Sequence, residues 1–100
     1  MADLANNIRL AVDSGKTAIG VNSVLDSIKR NSAKLVIITS KNKPDDLQEI
    51  AHIAKIAGIE IVKFDGDSMR LGAVCGKPYS VAAVSIIEAG NSEILNAENR

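Results

Sequence analysis

Apolar positions along this chain alternate between helical spacing and short continuous runs. Leu4, Ile8, Ala11 and Val12 share one helical face, with Asp3 at the N-cap position and Gly15 just past the end. Residues 17–20 read as a short strand that runs directly into a second helix carrying Val21, Val24, Leu25 and Ile28. Residues 34–39 form an unbroken aliphatic run, expected to be a central strand because both faces are apolar. Pro44, with Asp45, Asp46 and Glu49 behind it, marks a helix start. Leu47, Ile50, Ala51, Ala54 and Ala57 fall on the inner face of that helix, which stops at Gly58. Residues 60–64 are expected to be the third strand, with a turn at Asp65-Gly66. Asp67 or Ser68 can cap a helix running through Val74, and residues 81–87 form the fourth strand. A turn at Gly90 and a short helix over residues 92–96 close the pattern, and the last few residues are expected to be loose.

Helices and strands in alternation, joined by short links, predict an α/β fold with helices on both faces of the sheet. The expected architecture is a single-domain, three-layer α-β-α sandwich with a four-stranded mixed sheet, spanning residues 1–100. Composition narrows the core rather than the fold. The chain is 46% hydrophobic yet has no Trp, one Phe (Phe64) and one Tyr (Tyr79), so its core is aliphatic. No apolar run approaches the ~18–20 residues that span a bilayer, so no membrane partner is expected. The first residues lack the basic and apolar regions of a signal peptide. Cys75 is the only cysteine, which excludes an intrachain disulfide and fits a reducing, intracellular setting.

Net charge is zero, but its distribution is uneven. Between Lys16 and Lys43 lie six basic residues (Lys16, Lys29, Arg30, Lys34, Lys41, Lys43) against one acid, Asp26. The expectation is one positive region on a neutral protein, able to steer a polyanion. An uneven scatter of solvated charges is the bland alternative.

Enzyme motifs are absent or broken. Ser14-Gly15-Lys16-Thr17 has the ending of a phosphate-binding loop, but Leu10 stands where its first glycine belongs. The predicted order there is also helix then strand, the reverse of what such a loop needs. Gly72 to Lys77 is one residue short and continues into Pro78. His52 is the only histidine and reads as a surface residue, and Cys75 reads as a small core residue. No nucleophile and base can be paired, and no Cys/His cluster offers a metal site. Catalysis, a metal and a cofactor are therefore not expected.

Three connecting segments remain as candidate chemistry. Gly20, Val21, Asn22 and Ser23 open a helix, whose first N–H groups and positive dipole end suit an anion. Lys41, Asn42 and Lys43 follow the central strand, and Lys77, Pro78 and Tyr79 precede the last. Ligands of open α/β sheets usually meet such junctions. Lysines can neutralise phosphates, asparagines can read base edges, and Tyr79 can stack on an unpaired base. Taken singly, each residue is better read plainly: Asn22 as a polar helix start, Asn42 as a turn residue and Tyr79 as a core-edge aromatic.

The chain resembles the L-thirty-e family of archaeal and eukaryotic large-subunit ribosomal proteins, within the kink-turn RNA-binding superfamily that includes L-seven-Ae. The resemblance runs from about Leu4 to Leu95. It rests on Ser14-Gly-Lys, Gly20, Ala33-Lys-Leu-Val-Ile-Ile38, Asn42-Lys-Pro44, Leu71-Gly72, Gly76-Lys77 and the run from Val84 to Leu95. It implies an α-β-α sandwich that binds sharply bent RNA, in which tandem sheared G·A pairs adjoin a bulge. By resemblance, the helix opened by Gly20 enters the bent groove, with Asn22 facing the G·A region between Val21 and Ser23. Asn42 matches a family asparagine, Tyr79 falls where an aromatic residue or histidine packs against extruded nucleotides, and Pro78 shapes that loop. Asp26 departs from the pattern, standing where relatives often carry a lysine facing phosphate; Lys29 or Lys43 is the expected substitute. The implied partners are rRNA containing a kink-turn and neighbouring ribosomal proteins, with the protein acting in the cytoplasmic ribosome and monomeric off it. The alternatives are a kink-turn protein of a guide-RNA or RNA-processing particle, and a small nucleotide-binding α/β domain.

Overall fold

In the computed structural model, residues 4–39, 44–90, 92, 94 and 95 are described, with residues 44–47 as backbone only. The elements follow in the order α1 (Leu4–Ser14), β1 (Lys16–Ile19), α2 (Val21–Lys29), β2 (Leu35–Thr39), α3 (Pro44–Ala57), β3 (Glu60–Phe64), α4 (Ser68–Val74) and β4 (Ala83–Glu88). All four strands join one mixed sheet in the order β1-β4-β2-β3. β4 runs antiparallel to both β1 and β2, and β3 runs parallel to β2.

Every residue of the aliphatic strand β2 is buried, because the sheet is covered on both sides. Strand alternation divides its side chains. Leu35 and Ile37 pack with Val84 and Ile86 beneath Ile8 and Ala11 of α1 and Leu71 of α4. Val36 and Ile38 pack with Ala83 beneath Val24 and Ile28 of α2 and Ile50 and Ala54 of α3. Three layers result, as the alternation of elements predicts.

One polar contact crosses the second core. Ser85, on β4, faces α2, and its hydroxyl lies 2.7 Å from that of Ser27, both buried. Ser27 also donates to the Val24 carbonyl at 2.7 Å. With that proton committed, Ser85 donates to Ser27 and fixes how α2 is seated along the sheet. Ser85→Ala is expected to lower stability by about 1–2 kcal/mol, read as the shift of the urea midpoint at constant slope. An unmoved midpoint would exclude a net contribution from this bond.

Four sequence expectations need correction in detail. The last strand begins at Ala83 rather than residue 81, because the Val81 N–H turns aside to the Ser68 carbonyl, 2.9 Å away. The first strand ends at Ile19, because Gly20 leaves the β region with φ 99°. Ala57 is exposed, and Ile53 packs against the core in its stead; the Leu47 side chain lies outside the described residues. Ile94 and Leu95 stand in a turn where a short helix was expected, with residues 93 and 96 of that helix outside the described ones. Ser92 explains the turn: its hydroxyl donates to Asn7 O at 2.6 Å and accepts from Ile94 N–H at 3.2 Å. These bonds pin buried Ile94 beside α1.

Candidate nucleic-acid interface

Two backbone hydrogen bonds define one end of the sheet. Gly20 N–H donates to Ala83 O at 2.9 Å, and Thr39 N–H donates to Ala82 O at 3.1 Å. The exits of β1 and β2 therefore flank the entry of β4, and the three candidate segments leave the sheet at adjacent points. Lys41, Asn42 and Lys43 follow Thr39 closely but lie outside the described residues.

Gly20 shapes the first segment. Its φ of 99° is disfavoured for any residue with a β-carbon, and open space surrounds the position where one would stand. The first helical bond of α2 is Val24 N–H to Gly20 O, 2.9 Å, so the N–H groups of Val21, Asn22 and Ser23 precede the ladder. No side chain caps this end. Asn22 and Ser23 are exposed, whereas Val21 is partly buried against the core. Beyond Ser23 an open groove of about 350 Å³ runs between α2 and β1, past Asp26 and Arg30. Asp26 is paired with Arg30 at 3.1 Å, so the acid that departs from the family pattern is partly neutralised in place.

The third segment is built on the end of α4. Gly76 N–H bonds Ala73 O at 3.0 Å and Lys77 N–H bonds Gly72 O at 2.9 Å, the paired closure that ends a helix at a left-handed residue. Gly76 supplies that residue with φ 76°. The chain then folds back so closely that Tyr79 O lies over Gly72, where a β-carbon would overlap it. The outcome is a backed loop that holds Pro78 exposed and leaves Tyr79 55% exposed, with Lys77 half-buried. A ring this accessible can accept a stacked base.

The structure also settles the motifs set aside earlier. Gly15 of the Ser14-Gly15-Lys16 run abuts the backbone of Glu88 and Ala89, and the Gly72 and Gly76 of the second run serve the helix end. Both runs are packing devices. Burial pushes the Cys75 thiol above its ordinary pKa, against the opposing charges of Lys77 and Arg9, as befits a core residue. His52 is exposed. Among the described residues no group of three or more His, Cys, Asp or Glu converges, and no helix is long and apolar enough to cross a membrane.

The described cations of the expected positive region stand away from the first candidate segment, and Lys41 and Lys43 of that region lie outside the described residues. Lys16 opens β1, Lys29 and Arg30 close α2, and Lys34 N–H bonds Ile86 O at 2.7 Å just before β2. Those four cations lie towards the end of the sheet opposite Gly20 and Thr39, because successive elements reverse direction. Lys29 stands one helical turn beyond Asp26 on α2, and Arg30, one residue further, is the cation that reaches the Asp26 carboxylate. Sequence reading also missed Arg9, whose Nη1 lies 3.7 Å from the β-carbon position of Gly76. No local signal in α1 announces that approach, which joins residues far apart in the chain.

Comparison with known proteins bears on the family. The model of the Ribosomal protein L7Ae/L30e/S12e/Gadd45 family matches residues 2–96. The large ribosomal subunit protein eL30 of Methanothermobacter thermautotrophicus is 42% identical over 94 residues, covering 93% of this chain and 95% of that protein. The eL30 of Methanococcus vannielii is 37% identical over 97 residues, covering 97% and 92% respectively. That of Methanosarcina mazei is 39% identical over 87 residues, covering 87% and 81%. A family match over nearly the whole length, on a sandwich whose connections meet at one end of the sheet, means that this chain belongs to the Ribosomal protein L7Ae/L30e/S12e/Gadd45 family.

Proposed function

We propose that this protein is a non-catalytic structural constituent of the large subunit of the cytoplasmic ribosome, where it binds kink-turn rRNA and contacts neighbouring ribosomal proteins. Full-length similarity to eL30 proteins supports the ribosomal assignment. The observation that carries the RNA-binding mode is the pair of hydrogen bonds that bring Gly20 and Thr39 to Ala83 and Ala82. Regular A-form RNA hides its major groove, so a protein of this kind reads a bend and its splayed bases. In this reading Gly20 allows close approach, and the N–H groups of Val21, Asn22 and Ser23 face the RNA. The Asn22 amide meets a base edge, Lys41, Asn42 and Lys43 line the adjoining strand, and Lys77 meets phosphate. Pro78 holds Tyr79 against an extruded base. Off the ribosome the protein is a monomer: exposed Ile56 stands on a helix over one face of the sheet and exposed Leu10 and Met69 on helices over the other, so the three do not join in one patch.

Titrations with a kink-turn RNA and with a straight duplex of equal length and charge, at one salt concentration, test this reading. The bent RNA is expected to bind at least ~10-fold tighter, a threshold set below the ~10³–10⁷-fold by which specific binding typically exceeds non-specific binding. Asn22→Ala is expected to weaken the bent complex by ~1–3 kcal/mol and to leave the straight one unchanged. Equal affinities for the two RNAs would sink the reading. Co-sedimentation with the large subunit, as opposed to a smaller ribonucleoprotein, tests the particle.

A further inference from the structure

Helix α1 contributes a cation to the rim of the Tyr79 loop. We propose that Arg9 contacts the RNA backbone, forming with Lys77 a two-cation clasp on phosphate beside the base held by Tyr79; this rests on the RNA-binding reading above. Arg9 Nε donates to Asp13 Oδ2 at 3.1 Å, which orients the guanidinium plane. Its Nη1 and Nη2 lie 3.7 and 3.8 Å from the point where a β-carbon would stand on Gly76, which puts the guanidinium in van der Waals range of the turn that ends α4. Lys77 is the next residue along. Both charges act on the Cys75 thiol, which places the two cations around the same helix end. Tyr79 follows Gly76 by three residues, at most ~10 Å of chain. The clasp and the stacked base thus fall within neighbouring nucleotides of one strand.

The chemistry suits phosphate. A guanidinium offers a planar fork of donors matched to paired phosphate oxygens, and Lys77 adds a point charge. Structure alone does not account for Arg9. Its pairing with Asp13 is an exposed i,i+4 contact, with the two side chains 53% and 58% exposed, and such pairs contribute little to folding. The carboxylate holds the fork while leaving the terminal nitrogens towards the loop.

Kink-turn RNA binding measured across a salt series tests the clasp. Arg9→Ala is expected to weaken binding roughly threefold to tenfold and to reduce the slope of log K against log salt by ~0.7–0.9, as for Lys77→Ala. Arg9→Lys should restore the slope while recovering only part of the affinity, since the fork is lost. Asp13→Asn breaks the same ion pair but leaves the cation and an amide oxygen that can still accept from Arg9 Nε, so its affinity should fall by much less than that of Arg9→Ala. An unchanged slope in Arg9→Ala overturns the proposal. So does a loss in Asp13→Asn as large as that in Arg9→Ala, because it would assign Arg9 a purely structural role. Wild-type preference for bent over straight RNA, measured alongside, separates the two readings. If that preference persists with an unaltered Arg9→Ala slope, only the clasp is lost; if it is absent, both readings fall.

Discussion

Replacing Gly72 with alanine is expected to lower folding stability by at least ~3 kcal/mol and RNA affinity by more than tenfold, the upper range for forcing extra volume into a packed site. The new methyl would overlap the carbonyl oxygen of Tyr79, with the Tyr79 carbonyl carbon at 3.1 Å. Both obstacles are backbone, so no rotamer relieves them. Alanine does favour a helix over glycine, but only by ~1 kcal/mol, too little to offset the clash. The loop cannot retreat without breaking the bonds that anchor it, Lys77 N–H to Gly72 O and Val81 N–H to Ser68 O. Tyr79 and Lys77 would leave their places together. Urea denaturation gives the first quantity, and RNA titration corrected for the folded fraction gives the second. Wild-type values for both would show that the loop is not seated on α4.

Gly15→Ala should produce a comparable loss of stability with an opposite functional result. Its methyl would overlap the Glu88 carbonyl oxygen and stand 2.9 Å from the Ala89 carbonyl carbon. The interlock is reciprocal, since a β-carbon on Gly90 would lie 2.5 Å from the Ser14 carbonyl and 2.6 Å from Gly15 N. A loss of ~3 kcal/mol lowers the melting temperature of a domain this size by ~12 °C or more. Yet Lys16 pairs with Glu88, whereas Gly20 meets Ala83, so this joint sits at the far end of β1 from the proposed RNA surface. Affinity per folded molecule is expected to match the unmodified protein. A specific loss of RNA affinity in the folded fraction would place the binding surface wrongly.

These two glycines also show where sequence reading stopped. Both lie in fragments that imitate phosphate-binding loops, and both could be rejected for nucleotide binding by spacing and element order. Their actual work, close backbone approach, depends on partners more than seventy residues away for Gly15 and on a folded-back loop for Gly72. Neither partner is inferable from local pattern. The same limit explains the charge distribution: Lys16, Lys29, Arg30 and Lys34 sit close in sequence to Gly20 and Thr39 but towards the opposite end of the sheet. Arg9 is the converse case, remote in sequence and adjacent to Gly76 in space.

Local pattern alone located the eight elements, while adding a helix over residues 92–96 where Ile94 and Leu95 form a turn. It also gave the central place of β2, the aliphatic core and the candidate segments around Asn22, Asn42 and Tyr79. Side-chain periodicity, caps and turn residues act over a few residues, so they can be read without a partner. Tertiary structure decided the strand order, the meeting of Gly20 and Thr39 at Ala82–Ala83, the pairing of Asp26 with Arg30 and the approach of Arg9 to the Tyr79 loop. Pairing across a sheet joins residues distant in the chain. Which of them meet follows from how two apolar faces are covered at once, and no short window of sequence contains that information.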